Sequence, residues 1–106
     1  MFCNVGFAEE KEDLFFNCKD LEGNFPSRYK FSFKEDILYI TNYEGNTHEY
    51  TIISENNFQI KARTLLTTGF WDVVFDKKTL ISEIYGDLPD GSNMLFFKEK
   101  CVPIAK

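Results

Sequence analysis

The sequence predicts an all-β domain in which about eight antiparallel strands run as a meander and close, or nearly close, into a small barrel or curled sheet. Three observations predict it. Short apolar or alternating runs are separated throughout by turn residues. Twelve Phe, five Tyr and one Trp favour pleated surfaces, on which large flat rings pack well. No segment keeps a helical period over about ten residues; a short helix within residues 9–17, at the N-terminus, or within residues 54–66 is the alternative. Closure is expected because it removes the exposed edges that a meander otherwise leaves.

The 106 residues suffice for one domain with its own core. Residues 1–8 are set apart as a leader or signal-peptide remnant: Gly6 and Ala8 make a small-x-small site just ahead of the charged run Glu9-Glu10-Lys11-Glu12-Asp13. Residues 9–106 then form the single β domain.

The first strand is Leu14 to Cys18, ended by the polar stretch around Gly23 and by Pro26. From Arg28 to Lys34 the alternation is clean, with Tyr29, Phe31 and Phe33 on one face. A turn at Lys34-Glu35-Asp36 leads into Ile37 to Thr41, and Tyr43-Glu44-Gly45-Asn46 leads into Thr47 to Ile53. After the polar break Ser54 to Asn57, Phe58, Ile60 and Ala62 share a face of the fifth strand. Trp71, Val73 and Phe75 define the inner face of the sixth, Phe70 to Phe75. The seventh runs from Thr79 to Tyr85, with Leu80, Ser82 and Ile84 together. Gly86 to Gly91 is the strongest loop signal, and residues 93–101 make the eighth strand.

Three cysteines are an odd number, and a cleaved leader would remove Cys3. Cys18 and Cys101 are then expected to pair as a disulfide across most of the chain. That pairing implies an oxidising compartment, periplasmic or secreted; the alternative is a cytoplasmic protein with reduced thiols.

Twelve basic against seventeen acidic residues give a net charge of −5, which argues against nucleic acid and leaves a basic protein as a reasonable partner. No apolar run approaches the roughly 18 residues of a membrane-spanning helix. The chain has no P-loop, GxGxxG, GxSxG, CxxC or HExxH sequence, and no cofactor or metal is expected. Asp87, Asp90, Ser92 and Asn93 are oxygen-rich but have the composition of a solvated turn. His48, the sole histidine, is the one candidate general base.

The aromatic surplus remains, most visibly at Phe15-Phe16, Phe70-Trp71 and Phe96-Phe97. In a regular strand adjacent rings face opposite ways, so one of each pair is available to a partner or a cavity. The candidate binding residues are Phe16, Tyr50, Phe70, Trp71 and Phe96. The leading expectation is a small exported, non-enzymatic protein that engages another protein as an inhibitor, immunity protein or accessory subunit, with homodimerisation open. One alternative is a lipocalin-like carrier of a small apolar ligand, which requires a cavity of about 300 Å³ or more. The other is a small enzyme using His48 with a carboxylate.

Overall fold

The computed structural model describes residues 12–67 and 69–104. The eight strands are β1 (Leu14–Asp20), β2 (Ser27–Ser32), β3 (Ile37–Thr41), β4 (Thr47–Glu55), β5 (Gln59–Leu66), β6 (Gly69–Asp76), β7 (Ile81–Asp87) and β8 (Asn93–Pro103). Each pairs antiparallel with its neighbours in the chain, and β8 returns to β1, so the sheet is a closed up-and-down barrel. Leu14 to Cys18 lie in ladder register with Phe31 to Ser27, and Gln59 to Leu66 with Asp76 to Gly69. The helical alternatives give way there, because these residues alternate with period two and find cross-strand partners. The leader assigned to residues 1–8 lies outside the described residues.

Asp and Asn side chains tie off the hairpins. Asp20 accepts from the backbone N–H groups of Glu22 and Asn24, and Asn42 from those of Glu44 and Asn46. Asn56 accepts from Phe58 and Gln59, and Asp76 from Lys78 and Thr79. Each short polar side chain replaces the ladder partner that its turn lacks, which is why these residues end strands. The fifth strand consequently begins at Gln59, and Phe58 stays exposed in the turn beside Lys78.

The β1–β8 seam is covalent. Cys18 and Cys101 sit opposite each other in the ladder, 83 residues apart in the chain, and are joined as a wholly buried disulfide. Closing so long a loop restricts the unfolded chain by on the order of 4 kcal/mol in the chain-entropy account.

The interior divides along the barrel axis. At the end holding the β2–β3, β4–β5 and β6–β7 turns, Phe75 lies 4.9 Å from Phe16 and 5.1 Å from Phe31, centroid to centroid. Phe16 meets Phe31 edge-on at 5.9 Å. Leu38, Ile60, Ala62 and Val73 complete this packed region, and Phe33 and Leu80 pack against it. Burying each of its large side chains is worth about 1.5–3 kcal/mol. No helix among the described residues is long and apolar enough to cross a membrane.

Candidate functional site

At the opposite end the inward positions carry Ser27, Thr64, Gly86 and Glu99, too small or too polar to fill the space. A cavity of about 770 Å³ results. Ile40, Tyr50, Ile84, Trp71, Phe96 and Phe97 wall it, and Glu99 and Ser27 contribute polar lining. Phe25 and Tyr43 come from the β1–β2 and β3–β4 loops at the mouth, their ring centroids 5.2 Å apart. Both rings are more than half exposed.

Two local features shape the aromatic wall. The β7–β8 register shifts between Ile84 and Tyr85, which face Phe97 and Leu95 and leave Phe96 as the extra residue. This bulge breaks the alternation, and Phe96 and Phe97 both line the cavity. Phe96 stacks on Trp71 with centroids 5.0 Å apart and planes 8° from parallel. The pair closes over Gly86: a Cβ there would lie 2.5 Å from Phe96 Cε2 and 2.9 Å from Trp71 Nε1. The indole N–H of Trp71 is buried and has no hydrogen-bond partner among the described residues.

Glu99 is 8% exposed and anchors a polar network within this apolar region. Tyr29 Oη donates to Glu99 Oε1 at 2.6 Å, and Ser27 Oγ donates to Oε2 at 3.3 Å. Tyr29 commits its one proton to Glu99, so Ser82 Oγ, 2.8 Å away, is left to donate to Tyr29. Burial pushes the Glu99 carboxyl above the usual carboxylate range, the charge of Asp20 adds to the shift, and the Tyr29 and Ser27 bonds oppose it. Burial and then the charge of Glu99 also raise Tyr29 and Tyr50. Among the described residues no cation is paired with Glu99. Lys98 lines the cavity, but its ammonium is 3.5 Å from Glu83.

Of the five aromatic candidates, Tyr50, Trp71 and Phe96 converge on the cavity. Phe16 belongs to the packed end. Phe70 lies on the outer face, where the Arg63 guanidinium, itself bonded to Asp72, covers its ring at 4.8 Å. His48 is exposed at the mouth, and no carboxylate is hydrogen-bonded to it among the described residues. Asp90 serves its own β7–β8 loop, accepting from the Ser92 N–H and hydroxyl, and Asp87, the last residue of β7, accepts from the Phe70 N–H of β6 and the Asn93 amide of β8.

Glu99, Tyr29, Ser27 and Phe97 were not among the sequence candidates. For Glu99 a signal existed: it shares strand parity with Cys101, so an inward cysteine turns the carboxylate inward as well. Comparison with known protein families, with curated proteins and with solved structures gives no significant match.

Proposed function

We propose that this chain is a small-molecule-binding barrel, a non-enzymatic carrier whose ligand has a largely apolar body. The observation that supports it is the cavity: about 770 Å³, walled by aromatic rings and open at one end. Ligand sites commonly occupy about 300–1,000 Å³, with mostly apolar walls and a few polar groups. An exported, periplasmic or secreted location goes with this reading, because a buried Cys18–Cys101 disulfide is compatible with an oxidising compartment.

Trp71 is the sole tryptophan, so its fluorescence reports directly on the cavity wall. Titration with an apolar environment-sensitive dye should saturate at one site and change Trp71 emission. The variant Thr64→Phe, which places a ring in the cavity, should abolish that binding and keep the β-barrel circular dichroism. Dye binding that fails to saturate, or that survives Thr64→Phe unchanged, would reject the carrier reading.

Engagement of a protein, basic in charge, or of a second copy is the other reading. Its support is the apolar rim, where Leu21, Phe25, Tyr43 and Met94 are each at least half exposed, together with the net charge of −5. On this reading Phe25→Ser weakens association and leaves dye binding intact. Sedimentation at increasing concentration checks the homodimer case.

A further inference from the structure

We infer, resting on the carrier reading above, that the ligand is an organic cation: an apolar body bearing a protonated amine, its charge met by the Glu99 carboxylate within the aromatic walls. The fold itself leaves one buried carboxylate half answered. Glu99 is buried, and its two hydrogen bonds come from the neutral donors Tyr29 and Ser27. A carboxylate has about four acceptor positions, so two neutral donors leave capacity unused. A buried charge without an opposite charge is costly, and a cation entering the cavity removes that cost.

The rest of the lining favours the same charge. Asp20 and Glu49 also border the cavity, whereas Lys98, the one lysine among the described lining residues, is occupied by Glu83. Among the described residues of the lining, an anionic ligand would meet three carboxylates, no free ammonium and one imidazole, His48, which stands exposed at the mouth. A neutral ligand would leave Glu99 as it stands. Aromatic walls add to the preference for a cation, since ring faces carry negative electrostatic potential and attract ammonium groups, most strongly where water is excluded. The raised Glu99 pKa, caused chiefly by burial, agrees with a carboxylate awaiting a partner.

Calorimetric titration of the full chain near pH 7 with three ligands of one shape tests this: phenethylamine, phenethyl alcohol and hydrocinnamate, which are cationic, neutral and anionic. Phenethylamine should bind about tenfold tighter than the alcohol, with hydrocinnamate weakest. Glu99→Gln should erase the amine's advantage and leave alcohol binding as it was, which also shows that the variant is folded. Glu35→Gln removes an equal charge from the exposed turn at the packed end and should preserve the advantage. Equal affinities, tightest binding of hydrocinnamate, or an amine preference that survives Glu99→Gln would overturn the inference. Failure of the amine to bind while the apolar dye still saturates overturns the inference alone; failure of both overturns the carrier reading with it.

Discussion

The two ends of this barrel are built from the same eight strands and the same alternation, yet one is solid and the other hollow. At the solid end the inward positions carry Phe16, Phe31 and Phe75, whose rings meet near the axis. At the hollow end they carry Ser27, Thr64, Gly86 and Glu99, and the large rings of Tyr50, Trp71, Phe96 and Phe97 stand around the wall. Stability and a binding cavity thus come from separate layers of one interior. A small barrel fills with side chains by default, so space at one end reflects residue choice rather than strand number.

The largest test of this division is a pair of matched truncations. Phe75→Ala, in the packed layer, should lower unfolding free energy by about 3–5 kcal/mol, because it empties a site that neighbours cannot easily collapse into. Phe97→Ala, at a wall position 52% exposed, should cost far less. Urea denaturation of both variants checks the contrast. Equal losses would mean that the two ends are one energetic unit and that the hollow end is as tightly packed as the solid one.

A smaller effect is expected from adding a methyl group at the hollow end. Gly86→Ala places Cβ within 2.5 Å of Phe96 Cε2, so the stacked Trp71–Phe96 pair must move. Overpacking of this kind costs about 1–3 kcal/mol. The displaced rings enter the cavity, so Trp71 emission should shift and dye affinity should fall together. A shift in stability with unchanged dye binding would show that the pair is not part of the ligand wall.

The contrast between the ends also explains what could be read in the sequence. The alternating runs read from Arg28 to Lys34 and from Ile37 to Thr41 are legible because alternation is a local property, and they become β2 and β3, with β2 ending at Ser32 and Phe33 and Lys34 passing into the turn. Trp71 is legible for the same reason: its parity with Val73 and Phe75 turns it inward and turns Phe70 outward. That Phe96 reaches the cavity beside Phe97 is not, because the β8 bulge breaks alternation at Phe96 without a Gly or Pro to announce it, whereas Phe97 keeps the inward parity of Glu99 and Cys101. Glu99 is hidden differently. Lys98-Glu99-Lys100 has the composition of a solvated face, and only closure of the barrel brings Tyr29 from β2 and Ser82 from β7 to the carboxylate. The packed end is local pattern repeated; the polar floor of the cavity depends on contacts 53 to 72 residues apart in the chain.

The smallest expected effect gives the sharpest view of the hollow end, because its sign depends on pH. The Glu99 carboxyl in the folded protein titrates above its unfolded value, so the native state holds that proton more tightly. The stability it contributes is fully present below the unfolded pKa and is lost as pH rises through the folded pKa, where the ionised group remains buried. Glu99→Gln is not subject to that loss. The variant should therefore match the parent near pH 4 and unfold at a higher temperature near pH 7; a difference of about 1 kcal/mol corresponds to roughly 4–8 °C in a domain of this size. Thermal unfolding followed by circular dichroism at the two pH values checks it, and a variant less stable at both would show that the Tyr29 and Ser27 bonds outweigh burial. With phenethylamine in excess of its dissociation constant the order should reverse, since a ligand held by the folded parent adds stability that the variant largely forgoes. A residue that weakens the empty barrel and strengthens the filled one is a recognition group, and this reversal separates that role from a structural one.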